Sequence, residues 1–221
     1  DKNSNDVIEE YLKNTNIPIL SEEGTNIPYS ERKEWEYFWL VDPLDGTKEF
    51  IKRNGEFTVN IAMIHNGNPI IGVIYVPVKN ELYFSLEGEG SYKKSKFNNE
   101  IFDLDSLISS SERLPILTER DVYTIVGSRS HMTKETEEFF EKKKKEYGNI
   151  EVLSIGSSLK LCMVAEGKAD VYPRYAPTME WDTGAGHAIA KFAGFSVKKY
   201  NSSIDIVYNK EELVNPWFLV N

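Results

Sequence analysis

The pattern of apolar and polar positions at the start of the chain predicts one helix and two strands. Residues 6–14 place their apolar side chains at the spacing of a single helical face. A turn and a short apolar run at residues 18–20 predict a strand that ends in an acidic pair. Residues 35–41 are aromatic and β-branched, which is typical of a buried strand. We expect this strand to stop at Asp42-Pro43, because proline cannot donate to a β-ladder.

The following part of the chain predicts an antiparallel sheet. Its strands are predicted at residues 56–65, 69–76, 82–84 and 90–92. The first two strands flank Asn66-Gly67, and this dipeptide tolerates the positive φ of a type I′ hairpin turn. Residues 98–120 are polar and irregular, and we interpret them as a linker.

The second half of the chain alternates strands with helices, which favours a layered α/β architecture. Strands are predicted at residues 122–126, 150–153 and 169–172, and helices at residues 134–147, 159–165 and 183–193. Residues 142–145 are all lysine, and the glutamates around them make a solvated helix face a better interpretation than a binding patch. We predict two tightly packed parts, an N-terminal metal-binding α+β half at residues 1–120 and a C-terminal α/β half at residues 121–221 that completes the site and binds the substrate.

Composition narrows the classes of function. A length of 221 residues fits one large domain or two packed halves. No apolar stretch approaches the roughly 20 residues that cross a bilayer, so we expect no transmembrane segment. The net charge of −9 argues against a nucleic acid polymer as partner, because such binding needs basic surface. The single cysteine, Cys162, excludes an internal disulfide and is interpreted as a core thiol in a reducing compartment.

Acidic side chains follow two predicted strands and begin one predicted helix. Asp42 and Asp45 come directly after a buried strand, and Glu22 follows another. Taken singly, Asp42 is typical of a turn, and Asp182 is typical of the N-cap of its helix. Carboxylates that converge repel each other unless a cation neutralises them, and all-oxygen ligation favours magnesium over zinc. The pattern therefore fits either isolated turns and caps or one shared divalent cation, and we favour the cation.

Three segments resemble the signature segments of the lithium-sensitive inositol monophosphatase superfamily. They are Glu22-Glu23, the run DPLDGT that begins at Asp42, and the run WDTGAG that begins at Trp181. The resemblance extends over nearly the whole chain. Within the superfamily, DGTKEFIKR, NGEFTVNIA and SIGSSLK are similar to segments of the bacterial 3′(2′),5′-bisphosphate nucleotidases. Inositol monophosphatases usually carry Thr-Asn-Phe where this chain has Lys48-Glu49-Phe50.

This resemblance implies a fold and a metal site. The implied fold is α+β, an αβαβα layered sandwich like that of inositol monophosphatase. Two or more magnesium ions, Mg2+, are implied to bind four carboxylates and one backbone carbonyl. These ligands are Glu22, Asp42, Asp45, Asp182 and the carbonyl of Leu44. Glu22 and Thr47 are implied to orient and deprotonate the attacking water, and the N–H groups of Gly46 and Thr47 to bind phosphate oxygens.

The resemblance also implies the residues that bind the substrate. In the second half these are Ser128, His131, Ser157, Lys160 and Arg174, and in the metal-binding segments Glu22, Leu44, Asp45, Gly46, Thr47 and Asp182. A second phosphate on the substrate needs fixed cationic donors, which Lys160 and Arg174 supply. Taken singly, those two residues are more typical of surface or salt-bridge positions, and His131 is typical of a helix cap.

Taken together, these features imply a hydrolase that acts on a small nucleotide. We expect magnesium-dependent hydrolysis of adenosine 3′,5′-bisphosphate, a by-product of sulfate assimilation, to AMP and phosphate in the cytoplasm. Inositol monophosphate or fructose 1,6-bisphosphate is the alternative substrate within the superfamily. A noncatalytic nucleotide- or metal-binding module is the alternative from another class. The sequence leaves the oligomeric state and peripheral association with the inner membrane open.

The start of the chain departs from the superfamily pattern. Members of the superfamily begin with a long helix and a loop that ends in a Thr-containing acidic segment. We expect that part to be absent here, with Asp1 as the last residue of the loop. The resemblance then implies a catalytic role for Asp1 at a third, weaker magnesium ion and the nucleophilic water. We expect a form extended upstream to be more active and more stable.

Overall fold

The computed structural model describes residues 1–98, 103–116, 119–127 and 133–221. These residues contain seven α-helices, and a 3-10 turn at Lys13–Thr15 extends the first of them. The helices are α1 (Lys2–Leu12), α2 (Tyr29–Arg32), α3 (Thr47–Lys52), α4 (Leu104–Ser109), α5 (Lys134–Tyr147), α6 (Leu159–Ala165) and α7 (Glu180–Phe192).

The strands of the described residues form one large sheet and two small ones. They are β1 (Ile19–Ser21), β2 (Tyr37–Asp45), β3 (Thr58–His65), β4 (Asn68–Val76), β5 (Glu81–Leu86), β6 (Gly90–Lys94), β7 (Glu112–Arg113), β8 (Tyr123–Gly127), β9 (Ile150–Ser154), β10 (Tyr172–Arg174), β11 (Val197–Lys199) and β12 (Phe218–Val220). In the large sheet β1 to β7 lie in chain order; β1 is parallel to β2, and every later pair is antiparallel.

The small sheets lie in the second half of the chain. β8 pairs with β9 in parallel, and β12 lies between β10 and β11 in an antiparallel sheet. An isolated parallel bridge between Ile125 and Val171 joins the two small sheets just before β10. They therefore act together as a second sheet layer.

Helices and sheets stack as the expected αβαβα sandwich. The indole N–H of Trp39 donates to Thr15 just beyond α1, whereas its neighbour Leu40 packs on α7. Because successive strand residues point to opposite faces, α1 and α7 cover opposite faces of the large sheet. On the other side, α6 and α7 contact the small sheets, and α5 packs against β9 and β10.

Small residues let α7 lie close to both of its neighbours. A Cβ atom on Gly72 of β4 would overlap the carbonyl oxygen of Ala185. A Cβ atom on Gly186 would lie 2.8 Å from the Cβ of Leu161 in α6. The glycines of the WDTGAG segment therefore serve packing, and this packing fixes the helix that carries Asp182.

Most of the predicted elements are confirmed. The helices expected at residues 134–147 and 159–165 have those bounds, and the predicted antiparallel strands become β3 to β6. The type I′ turn is also confirmed, since φ is 46° at Asn66 and 74° at Gly67.

Two predicted bounds are displaced, since β10 begins only at Tyr172, the last residue of the strand predicted at 169–172, and α7 begins at Glu180 and not at residue 183. Two further predictions are wrong. β2 does not stop at Asp42-Pro43 but continues to Asp45, because a register shift between Asp42 and Asp45 takes Pro43 out of the regular ladder. The segment at residues 98–120 is not simply a linker, since it contains α4 and β7. β7 pairs with β6, and Leu114 is buried in the core. The mean polarity of the segment concealed these few inward-facing residues.

Three further short elements were not predicted. α2, β11 and β12 each contain only three or four residues, which is too few for a periodic pattern. The division of the chain at residue 120 stays a prediction. Within the described ranges no helix is long and apolar enough to cross a membrane.

A buried ionic network ties the large sheet to the end of α6. Lys93 Nζ lies 3.0 Å from carboxylate oxygens of both Glu81 and Glu166. Glu166 also accepts a hydrogen bond from the Tyr83 hydroxyl at 2.9 Å and pairs with Lys168 at 2.8 Å. Burial by itself raises the pKa of Glu166, but the hydrogen bonds and charges of Lys168 and Lys93 outweigh it and lower the pKa below 4.5.

Replacing Glu166 by glutamine tests this network. Glu166→Gln keeps the shape of the side chain but leaves the buried ammonium of Lys93 with one carboxylate instead of two. We expect the free energy of unfolding at pH 7 to fall by roughly 3 kcal/mol, measured by urea denaturation. Glu146→Gln, which removes an exposed partner of Lys143, is the matched control and should change little.

The pH dependence gives a second readout of the same variant. A carboxylate with a lowered native pKa stabilises the fold fully above its ordinary pKa of 4.5 and loses this contribution as pH falls through the native value. The difference in the free energy of unfolding between wild type and Glu166→Gln should therefore become smaller as the pH is lowered. A constant difference from pH 7 to pH 3 would contradict an ionic role for Glu166.

Candidate active site

Three aspartates from two distant segments meet at one point. Asp42 and Asp45 lie on β2 and Asp182 lies on α7, and each offers a carboxylate oxygen within 4.8 Å of the other two. The carboxyl group of Glu22, just beyond β1, makes a hydrogen bond with that of Asp42. The structure thus brings together all four acidic residues that were singled out in the sequence.

An irregularity in β2 turns Asp42 and Asp45 toward the same place. Residues three apart in a regular strand point to opposite faces of the sheet. Here the register shifts between the two aspartates, and the N–H of Leu44 donates to Asp42 Oδ1 at 3.0 Å. Pro43, which lacks an N–H to pair, sits inside this irregular stretch. Leu44 therefore helps to orient Asp42, and its carbonyl as a metal ligand stays a prediction.

Residues of β3 and the α6 segment hold Asp45. Its Oδ2 accepts hydrogen bonds from the N–H of Ser158 and, at 3.5 Å, from Asn60. The Ser158 hydroxyl bonds in turn with Thr58 at 2.8 Å and with Asn60 at 2.8 Å. Sequence reasoning missed Thr58 and Asn60. Their signal was two polar residues at alternate positions of an otherwise apolar strand, which places both on one buried face.

Asp182 is not the N-cap of its helix, which was one interpretation of the sequence. The N-cap is Met179, and Asp182 Oδ2 accepts the Met179 N–H at 2.9 Å as the third residue of α7. Asn215, also missed, fixes this helix start, because its amide donates to the Met179 carbonyl at 2.7 Å and to the Thr183 hydroxyl at 2.9 Å. One oxygen of Asp182 is therefore committed to the cap, and the group still reaches the cluster.

Burial raises the pKa of every carboxyl group in the cluster, and the charges of the neighbouring cluster acids add to it at Glu22, Asp42 and Asp182. For Asp42, burial and then the charges of Asp45, Glu22 and Asp182 raise the pKa to about 10. For Asp182, burial and then the charge of Asp45 raise the pKa to about 7. Burial is also the main cause that raises the pKa of Glu22. The metal-free cluster therefore retains protons at neutral pH, and a divalent cation would neutralise it instead.

The cluster opens into a cleft of about 310 Å³. Among the residues expected to bind substrate, five line this cleft together with Asp45 and Asp182. They are Gly46, Thr47, Ser157, Lys160 and Arg174. The cleft therefore has an acidic wall, contributed by β2 and α7, and a basic wall, contributed by α6 and β10.

Two buried cations form the basic wall. Lys160 and Arg174 are each only 9% exposed. Lys160 Nζ donates to the Ser157 carbonyl, and burial lowers the pKa of Lys160 to about 8 although the charge of Asp45 raises it. Arg174 Nη2 donates to the Pro177 carbonyl at 2.9 Å, while its buried Nε has no partner among the described residues. Since both Lys160 and Arg174 line the cleft, an anionic ligand there can pair with these two cations.

Gly46 must be glycine for two reasons. Its φ is +92°, which side-chain-bearing residues rarely adopt, and a Cβ atom would lie 3.3 Å from the Cβ of Ser157 across the cleft. Thr47 then begins α3. The turn at Gly46 therefore lets the backbone after Asp45 approach the α6 segment closely.

The remaining predicted residues are Asp1, Ser128 and His131. Asp1 is the N-cap residue of α1, without a side-chain capping hydrogen bond. In the first turn of α1, the Ser4 hydroxyl donates to the Pro43 carbonyl at 3.0 Å, which links this helix to the acidic segment of β2. The catalytic role of Asp1 stays a prediction. Ser128 and His131 lie outside the described residues.

The fold and the acidic site define the class of protein. The sequence profile of the inositol monophosphatase family matches residues 1–217. The chain belongs to the inositol monophosphatase family, whose members depend on metal ions.

Within this family the chain is similar to proteins named CysQ. It is 44% identical to the 3′(2′),5′-bisphosphate nucleotidase CysQ of Escherichia coli K12 over 205 residues, which cover 93% of this chain and 76% of that protein. The crystal structure of CysQ from Bacteroides thetaiotaomicron superimposes with a TM-score of 0.96 at 55% identity and covers 100% of this chain and 82% of that one. Mycobacterium tuberculosis SuhB shares the fold, with a TM-score of 0.69 at 21% identity, over 100% of this chain and 76% of that one.

Removing one carboxylate should stabilise the metal-free protein. A carboxyl group whose native pKa is raised contributes stability that is full below its ordinary pKa of 3.8 and is lost as pH rises. Asp42→Asn should remove part of the stability that the native protein loses as pH rises. We therefore expect its Tm in EDTA to be roughly 3 °C above that of wild type at pH 8, with a smaller gain at pH 5. Scanning calorimetry at both pH values measures the two Tm values.

The control is Asp105→Asn, which neutralises an exposed carboxylate on α4. This variant should unfold like the wild type at both pH values. A lower Tm for Asp42→Asn in EDTA at pH 8 would mean that the four acidic groups do not destabilise each other.

Proposed function

We propose that this protein is a magnesium-dependent phosphatase that hydrolyses adenosine 3′,5′-bisphosphate to AMP and phosphate. The observation that carries the proposal is the cluster of three aspartates within 4.8 Å of one another, because two of them, Asp45 and Asp182, line a cleft that also carries two buried cations. The similarity to bisphosphate nucleotidases over 93% of the chain supports the choice of substrate.

The donor set fits magnesium. Every candidate ligand is an oxygen, and hard oxygen ligands suit Mg2+ better than zinc or copper. In this proposal two or three ions are held by Glu22, Asp42, Asp45, Asp182 and the carbonyl of Leu44. Bound magnesium would supply a coordinated water of lowered pKa and would neutralise charge on the phosphate.

The protein's own groups orient the reactants. Glu22 is the least buried acid of the cluster and lies beside Asp42, so its carboxylate can accept a proton from the attacking water. Thr47 lies at the start of α3 on the cleft wall and can hold that water through its hydroxyl. Attack on phosphorus forms the new P–O bond as the bond to the ribose 3′ oxygen breaks, and the leaving oxygen takes up a proton.

The basic wall accounts for recognition of a substrate with two phosphates. The protein has a net charge of −9 and repels anions at long range. Lys160 and Arg174 supply the local positive charge, and Arg174 has a buried N–H that no described residue uses. In the proposal these two residues and Ser157 bind the phosphate that is not removed, and Gly46 and Thr47 contact the one that is.

Phosphate release tests the proposal. We expect rapid release from adenosine 3′,5′-bisphosphate with magnesium and none with EDTA. Asp42→Asn should lower kcat by at least about 100-fold, because the metal cluster loses a ligand. Asp105→Asn should keep wild-type activity. Stronger turnover of inositol monophosphate than of the bisphosphate, or equal activity of Asp42→Asn, would refute the proposed reaction.

Arg174 allows a separate test of substrate recognition. Arg174→Ala removes a charged hydrogen-bond donor worth roughly 2 kcal/mol, so KM for adenosine 3′,5′-bisphosphate should rise about 30-fold. KM for adenosine 3′-monophosphate, which lacks the second phosphate, should change little. An equal rise for both substrates would place Arg174 at the reacting phosphate instead.

A further inference from the structure

A second groove lies behind the active site. It has a volume of about 520 Å³ and lies between α5 and the edge formed by β11, β12 and the residues after β11. Among the residues that the structure describes, none lines both this groove and the active-site cleft. The cleft and the groove are adjacent along the chain. Tyr172 and Arg174 of β10 line the cleft, and Tyr175, the residue after β10, lines the groove. A volume of this size is in the range of small-molecule sites.

The floor of the groove is aromatic. Tyr175 is 2% exposed, and its ring centroid lies 4.5 Å from that of Tyr200 and 5.9 Å from that of Phe139. Trp217 packs behind them, 5.9 Å from Tyr175. Tyr200 is 41% exposed and presents a ring to the groove. A planar ligand could therefore stack on a preformed aromatic surface.

The rim of the groove is basic in an acidic protein. Four lysines and two glutamates line it, whereas the whole chain has a net charge of −9. Lys143 Nζ forms an ion pair with Glu146 Oε2 at 2.9 Å. By contrast, Lys142, Lys198 and Lys199 form no ion pair with any residue in the described part of the chain, even though Asp205 lies opposite Lys198 in an isolated bridge.

The lysine run of α5 is thereby divided. Lys142 faces the groove, whereas Lys144 and Lys145 do not line it and are exposed to solvent. The interpretation of the run as a solvated face therefore holds for its second half. Its first half borders a concave surface that also carries the carboxylates of Glu135 and Glu138.

We propose that this groove binds a nucleotide at a site separate from the active site. The phosphate would lie between Lys142 and Lys198, which shares a sheet face with the groove residue Leu219, and the base would stack on Tyr200. Glu135 and Glu138 would accept hydrogen bonds from ribose hydroxyls or from an exocyclic amino group. An anion without an aromatic ring would use only half of this surface.

Calorimetric titration with AMP in EDTA tests the proposal, with inorganic phosphate as a second probe. Wild type should bind AMP at the groove, and Lys142→Ala combined with Lys198→Ala should weaken that binding about 30-fold. The matched control, Lys144→Ala combined with Lys145→Ala, removes the same charge from the same part of the chain and should bind like wild type. The fluorescence of Trp217, which contacts both tyrosines, should change on binding and lose this change in Trp217→Phe.

Three results would each overturn the proposal. One is the absence of any AMP binding that responds to Lys142 and Lys198 at concentrations up to about 1 mM. Another is equal weakening by the control pair, which would mean general electrostatic attraction. The third is inorganic phosphate binding as tightly as AMP, which would remove the role of the aromatic floor. Phosphate release by the groove variants stays at the wild-type level in each case, so the outcome is independent of the proposed catalysis.

Discussion

The structure depends on holding four carboxyl groups together although they repel each other. Asp42, Asp45 and Asp182 lie within 4.8 Å of one another, and Glu22 contacts Asp42. Burial and mutual repulsion raise the pKa of Asp42 to about 10, far above its ordinary 3.8. Such a cluster costs stability in the absence of a cation. It persists only because the surrounding packing and hydrogen bonds leave these side chains no other arrangement.

The elements that carry the acidic residues are held in place by packing and hydrogen bonds outside the cluster. β2 lies between β1 and β3 in the large sheet, and its irregular stretch is fixed by the hydrogen bond from the Leu44 N–H to Asp42. α7 is clamped between two sheets by glycines that permit close approach, and Glu180 at its start is fully buried. Glu180 accepts the N–H of Asn209 at 2.6 Å and that of Lys210 at 3.0 Å, which fastens the C-terminal segment to this helix. Rigid supports of this kind keep a metal site preorganised.

Sequence reasoning predicted most of this architecture because its signals were local. The I′ turn at Asn66-Gly67 and the amphipathic α5 follow from residues close in the chain. The four acids were recognisable by their positions at element ends and by resemblance to a family. Asn60 and Asn215 were missed, because a side chain that orients a ligand depends on contacts across the fold. The extension of β2 past Pro43 was missed for a similar reason, because it depends on the pairing of Asp45 with Thr58 of the neighbouring strand β3.

The active-site cleft forms only when the end of β2 and the start of α6, which are distant in the chain, pack against each other. Ser158 donates its N–H to Asp45 across a separation of 113 residues, and Ser157 packs against the turn at Gly46. Ser158 begins the same helix that carries Lys160, so one contact sets the distance between the acidic and the basic wall. A shift of α6 would therefore move the phosphate-binding cation and disturb the support of Asp45 together. Because both walls share this contact, substrate binding and metal binding are geometrically linked, and a substitution in the core of α6 acts on both.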